Sequence, residues 1–252
     1  MTLKTKFGAF ATLAALGLAA GHPAAAQNSA ITFSSVHAVS SDSDVSTTGT
    51  LFEAYYFNNT PGAPNVTVNS VPFTNAFIAG GPNVTITGSN QGYNSGLTPF
   101  PSASTNYNNI LVPYIYNSDG TPAIKTLGFT ITGLRTGDSY QFQYFVDEAR
   151  GNSGRTDTLS DGLGHASAAL AVDTGSYVFG TFTANSAGSE TFTTTSNAPQ
   201  PGGYGDAAAQ VNAFQIRDIT AAPEPSQFAA FGLGILGLAG MAFKARKRSV
   251  IA

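Results

Sequence analysis

A chain of 252 residues without a single cysteine cannot carry thiol catalysis, an iron–sulfur cluster or a cysteine-ligated zinc, and it must fold without disulfides. Its formal charge is −3, yet six of its 11 basic residues fall in the first 26 or last 30 positions. Residues 27–222 hold 5 basic against 13 acidic residues, a net −8, which argues against a nucleic-acid partner because phosphate binding needs basic clusters.

At the front, Lys4 and Lys6 precede an apolar stretch from Phe7 to Ala20, and Ala24-Ala25-Ala26 offers a small-residue cleavage site before Gln27. The pattern predicts a secretory signal peptide over residues 1–26, with a hydrophobic segment short for a membrane span. The region that follows is rich in Gly, Ser, Thr, Asn and aromatic residues, a strand-and-turn composition. In chain order the alternating runs are Thr50–Phe57, then Asn65–Val68 and Val71–Phe73 about a tight Asn69-Ser70 turn, with Pro72 marking an edge or strand end. Val84–Thr87 follows. Ser104–Val112 reads as a short helix, capped by Ser104 or Thr105 and stopped by Pro113.

Lys125–Ile131 is the next strand. Ser139–Asp147 has the clearest alternation, with Tyr140, Phe142, Tyr144 and Val146 on one face and Gln141, Gln143 and Asp147 on the other. Phe145 interrupts the polar face, so both sides of this strand are expected to be partly covered. Ala168–Asp173, Ser176–Thr183, Glu190–Thr195 and Gln210–Ile219 complete the set. With no fixed-period repeat, these runs predict one all-β domain over residues 27–222, an antiparallel β-sandwich of jelly-roll type.

The end of the chain has a different grammar. Pro223-Glu224-Pro225 precedes an uncharged apolar run, Phe228–Phe243, and then Lys244, Arg246, Lys247 and Arg248. As a helix the run spans roughly 24 Å at about 1.5 Å per residue, slightly short of a ~30 Å hydrocarbon core, and the basic stop favours the cytoplasmic side. The reading is a transmembrane segment over 228–243 closing a tail of residues 223–252.

The three parts of this tail together resemble the PEP-CTERM sorting signal. The resemblance covers about 30 residues, and it implies recognition by an exosortase, processing near Pro223, Glu224 and Pro225, and release or attachment at the cell envelope. Upstream, Gly133–Tyr140 resembles the turn-plus-tyrosine corner of fibronectin type III and related sandwiches. Gly133–Thr156, Tyr177–Thr183 and Gln210–Arg217 resemble uncharacterised exported β-sandwich domains often joined to PEP-CTERM tails, a likeness that brings no activity with it. The association of exosortases with matrix production implies a non-enzymatic surface or extracellular-matrix role with exopolysaccharide as a partner. The alternatives are a carbohydrate-binding module and a glycoside hydrolase.

Two clusters are candidate sites. Asp147, Glu148, Arg150, Arg155 and Asp157, with Asp161 beyond, lie at and after the end of the best strand. They suit either a polar rim for a sugar or calcium, or an ion pair from Asp147 to Arg150 or Arg155 that holds a long loop. Neighbouring acids on a strand point to opposite faces, a poor start for the paired carboxylates of a glycosidase. Asp42 and Asp44 form a D-x-D that suits either calcium or a solvated turn. No cofactor is implied beyond that calcium option. His22, His37 and His165 lack zinc spacing, and no Gly-x-Ser-x-Gly elbow is present.

Overall fold

A computed structural model describes residues 29–78, 80–94, 100, 103–117, 126–148, 154–196 and 208–220. The expected signal segment, Arg150 and the whole tail from Pro223 lie outside them. The described strands are β1 (Thr32–Phe33), β2 (His37–Ala38), β3 (Thr50–Tyr56), β4 (Val66–Val68), β5 (Val71–Asn75), β6 (Val84–Thr87), β7 (Gln91–Asn94), β8 (Pro113–Tyr116), β9 (Thr126–Ile131), β10 (Ser139–Val146), β11 (Thr156–Ser160), β12 (Leu170–Ala171), β13 (Ser176–Thr183), β14 (Glu190–Ser196), β15 (Gln210–Val211) and β16 (Ala213–Asp218). One helix, α1, spans Thr105–Leu111. Among the described residues no helix is long and apolar enough to cross a membrane.

The fold is an all-β sandwich. Its first sheet runs β1-β13-β10-β16-β3-β5-β4, with β2 beside β13, and its second runs β12-β11-β14-β9-β6. A small third sheet, β15-β8-β7, closes one end. The long strands cross repeatedly from one main sheet to the other, and the first of them, β3, lies beside the last, β16. Pairing is antiparallel except for a two-residue parallel contact between β3 and β5.

Alternation explains the core. Leu127, Phe129 and Ile131 of β9 point inward against Tyr140, Phe142, Tyr144 and Val146 of β10. Phe192 sits between the rings of Phe129 and Phe142, with centroids 4.7 and 4.6 Å away, and Phe214 packs at 5.9 Å from Phe192. These stacked pairs add about 0.5–1.5 kcal/mol each beyond their buried area. Gly180, opposite Phe142 in the ladder, makes room for that ring: a Cβ there would lie 2.2 Å from Phe142 Cζ.

The outer face of the first sheet is also covered. Phe145, Tyr56 and Ala213 on that face meet Tyr107, Ile110 and Leu111 of α1 and Val66, Val68 and Phe73 of the β4–β5 hairpin. The hairpin turns at Asn69 and Ser70, with φ of 45° and 64°, as a two-residue turn of this kind requires. Asn106 of α1 donates to Thr67 O at 3.0 Å, which caps the otherwise open edge strand β4. Ser104 is the N-cap, accepting from Tyr107 N at 3.0 Å. The corner at Gly133–Tyr140 closes through its backbone, Arg135 N donating to the Tyr140 hydroxyl at 3.0 Å.

Candidate functional site

The run expected as one strand over Gln210–Ile219 is broken at Asn212, and the break builds the site. Asn212 separates β15 from β16, yet its backbone still donates to Phe145 O and accepts from Phe57 N, both at 3.0 Å, while its side chain reaches the end of β10. Its Nδ2 donates to Leu111 O and to Asp147 O (3.0 Å), while its Oδ1 accepts from Asp147 N at 2.7 Å. Gln210 does the same two residues earlier. Its N–H donates to Asp157 Oδ2 at 3.0 Å, its Nε2 to Asp147 O at 2.7 Å, and its carbonyl accepts from the Tyr144 hydroxyl.

Arg155 lies at the centre. Its guanidinium donates to Gln210 Oε1 at 2.5 Å and to Ala208 O at 2.9 Å, and stands 3.9 Å from Glu148 Oε2. Glu148 also accepts from the Tyr114 hydroxyl of β8. Half-buried Asp173 accepts from Gly154 N at 2.7 Å. Four of the five residues expected as a ligand loop, Asp147, Glu148, Arg155 and Asp157, are thus together, at the end of the sandwich where β10 finishes and β11 starts. Arg150 lies outside the described residues.

Their position differs from a solvent-facing rim. Asp147, Glu148 and Asp157 are no more than 1% exposed and Arg155 is 6% exposed. The reason is the cover supplied by Tyr114, Gln210 and Asn212, two β-sheet segments that the alternation pattern did not bring to this end. Asp147 pairs through its backbone with Asn212, and the charge partner of Arg155 is Glu148.

Four carboxyl groups face one guanidinium among the described residues of the cluster. Asp147 Oδ2, Asp157 Oδ1, Asp173 Oδ1 and Arg155 Nε are buried with no hydrogen-bond partner among those residues. The chemical consequence is proton retention. Burial, then the neighbouring Glu148 charge, pushes the Asp147 carboxyl up to about 8. Burial pushes Asp157 up to about 7, against the Gln210 N–H and the Arg155 charge. Burial also raises Asp173. Asp147 and Asp157 thus hold their protons toward neutral pH in a low-dielectric interior, and among the described residues no group of three His, Asp or Glu is placed to hold a metal ion.

Asp42 and Asp44 lie in a 3-10 turn, Asp42–Asp44, that is tied to the helix. Asp44 Oδ2 accepts from Ser40 N (2.6 Å), Ser41 N (2.9 Å) and the Tyr107 hydroxyl (3.2 Å), and Asp42 Oδ1 accepts from Ser104 N at 3.0 Å. His37 stacks on Tyr177 with centroids 5.1 Å apart.

Asp161, expected beyond the ligand loop, lies instead at the opposite end, beside Glu190, which sequence reasoning passed over. Ile31 N donates to Asp161 Oδ2 at 3.1 Å and Ser29 N to Glu190 Oε2 at 2.8 Å, so two acids of the second-sheet region catch the backbone of the first described segment. Asp161 also accepts from Leu163 N, and its Oδ2 lies 2.6 Å from His165 Nδ1. Burial works to raise the Asp161 carboxyl, but these hydrogen bonds outweigh it and hold the group below its ordinary value. A shallow groove of about 370 Å³ opens beside this segment, lined by Ala30, Thr32, Ser139, Phe182, Thr183 and Ile219 among others. Comparison with protein-family models, with curated proteins and with solved structures finds no match to this chain.

Proposed function

We propose that this chain is an exported, non-enzymatic cell-surface or extracellular-matrix protein that is sorted by an exosortase through its C-terminal tail and works in contact with exopolysaccharide. The sequence support is the ordered tail of Pro223-Glu224-Pro225, Phe228–Phe243 and the basic stop Lys244–Arg248, matched by the signal segment at the front.

The observation that carries the reading is where the chain enters and leaves the sandwich. Ser29 Oγ donates to Thr183 O at 2.6 Å, and Ser139 N donates to Thr220 Oγ1 at 2.8 Å. Thr183 and Ser139 are direct partners in the β10–β13 ladder. Both ends of the described domain therefore emerge side by side at one pole. A tail leaving there tethers the domain by that pole, and the rest of the sandwich extends away from the membrane. At ~3.3 Å per residue, β10 carries the chain about 25 Å from this pole to the carboxyl cluster.

The buried state of Asp147 and Asp157 supports a structural rather than a hydrolytic role for that cluster, because a glycosidase needs two carboxyls open to one cleft. The test is processing in cells. A Pro223→Ala/Glu224→Ala double variant should accumulate as a full-length, membrane-held species while the wild type is shortened. Normal shortening of the double variant overturns the sorting reading.

A further inference from the structure

Charge and hydroxyl are arranged inside out in the second sheet. Its strands β6, β9, β11 and β14 contain two acidic residues, Asp157 and Glu190, and both are fully buried, although acidic side chains are ordinarily the exposed ones. The alternate positions, which face outward, are almost all threonine. Cross-strand register lines them up: Thr85, Thr130 and Thr191 form one row, and Thr126, Thr195 and Thr158 another. Between these rows, Thr193 of β14 sits opposite Gly128. Thr85, Thr87, Thr126 and Thr193 are exposed and the others half-buried. No outward position of the four strands carries a charge, in a domain whose net charge is −8.

We propose that this threonine face binds an uncharged polysaccharide chain. The inference rests on the exopolysaccharide reading above and gives it a ligand class and a surface.

The chemistry of the face selects the ligand. A threonine hydroxyl is one donor and a two-fold acceptor, the same capacity as a sugar hydroxyl, and its methyl group suits the C–H faces of a sugar ring. β-Branching fixes χ1, so the hydroxyls are presented with little freedom to lose on binding. Thr87 and Thr193 reach backbone carbonyls of the adjacent strand only at 3.5 Å, bonds easily exchanged for a ligand. Rows repeat at about 4.8 Å across the strands and about 6.7 Å along them, so a polymer meets the same group many times and weak contacts accumulate.

Among the described residues an anionic polymer finds no cation on this face, and an acidic domain behind it. Ice, the other extended lattice of hydroxyls, needs a flat partner, whereas neighbouring strands rotate by roughly 20–25° and the Gly128 gap interrupts the array. On the first sheet, α1 and the β4–β5 hairpin cover the outer side around Phe145, Tyr56 and Ala213, which leaves a smaller open area near Thr32 and Thr183.

The experiment is affinity gel electrophoresis of the purified full-length chain in non-ionic detergent, through gels cast with dextran, a β-glucan, a galactomannan or anionic alginate. Retardation by a neutral polymer and not by alginate is expected. The triple variant Thr130→Val/Thr193→Val/Thr195→Val keeps shape and β-propensity, and should raise the apparent Kd at least five-fold with an unchanged thermal melt. Thr193→Lys should weaken binding on its own.

Unaltered migration in every neutral gel overturns the proposal, as do retardation by alginate alone and wild-type binding by the triple variant. Arrest of ice growth without retardation in any gel also overturns it, in favour of ice. Normal tail processing with no retardation removes this face and leaves the sorting reading standing. Retardation without processing does the reverse.

Discussion

The sandwich should become less stable as pH rises from 5 to 8, the reverse of what ion-paired carboxylates give. In the unfolded chain Asp147 and Asp157 ionise near pH 3.8, whereas in the fold they hold their protons up to about 8 and about 7. Below pH 3.8 both states are protonated and these groups cost the fold nothing. From there upward the folded state binds up to two protons more than the unfolded chain, so stability declines by about 1.4 kcal/mol per pH unit for each group. Between pH 5 and 6.5 the two together give about 3 kcal/mol per pH unit, and the loss is complete once pH passes the folded values. For a domain of this size about 1 kcal/mol moves Tm by ~2–4 °C, so Tm should fall by ~5–10 °C per pH unit in that window. Asp161 works the other way, its depressed value withdrawing stability only as pH falls below the ordinary carboxylate range. Maximum stability therefore belongs near pH 4–5. The assay is the thermal melt of the full-length chain at fixed ionic strength from pH 5 to 8. Asp157→Asn removes one titration while its amide oxygen still accepts the Gln210 N–H, so it should halve the slope and melt above the wild type at pH 8. A Tm that is flat or rises between pH 5 and 8, or an Asp157→Asn variant with the wild-type slope, would refute the reasoning.

Two substitutions probe the frame that holds this cluster. Tyr140→Phe leaves Arg135 N without its 3.0 Å partner at a side chain only 2% exposed, and should cost about 1–3 kcal/mol in urea unfolding; an unchanged midpoint means the corner is not a clamp. Gly180→Ala places a methyl group 2.2 Å from the Phe142 ring, which is packed on Phe192 and cannot swing away, and should cost about 1–3 kcal/mol; wild-type stability would mean that the aromatic stack repacks freely.

The elements readable in advance were those specified by neighbours in sequence. Ser139–Asp147 alternates cleanly and forms β10, and Phe145, the residue that broke its polar face, packs on Tyr107 under α1. Ser104 and Pro113 bracket the helix, and Asn69-Ser70 places the hairpin. Pro72 fits because it lies at the start of β5, before that strand pairs with β3 at Thr74. What escaped depends on partners far away in the chain. β1, β2 and β7 are too short or too glycine-rich to show a period, and the expected run Ala168–Asp173 keeps only two ladder residues. β8 and β11 are short strands whose cover comes from distant elements. Asp147, Glu148, Arg155 and Asp157 were legible as neighbours because they are close in sequence, whereas Asp173 was not singled out and Asp161 lies at the other end. The cluster's burial was not legible, since Tyr114, Gln210 and Asn212 arrive from elsewhere, although two amides spaced by two within an apolar run, Ala208 to Phe214, were the available signal.

The proton-retaining interior and the charge-free exterior are two consequences of one register. In β11 the order Thr156-Asp157-Thr158 sends the acid inward and the threonines outward, and Glu190-Thr191 repeats it in β14. A shift of one residue would reverse both, setting carboxylates on the outer face and threonines in the core. That reversed arrangement would suit solubility and remove the desolvation that now raises Asp157 and Glu190. It would also turn Leu159 of β11 and Phe192 of β14 out of the core, so the burial of these apolar side chains sets the register. The inward acids and outward threonines follow from it, and the domain's acidity is kept off the outer face of that sheet.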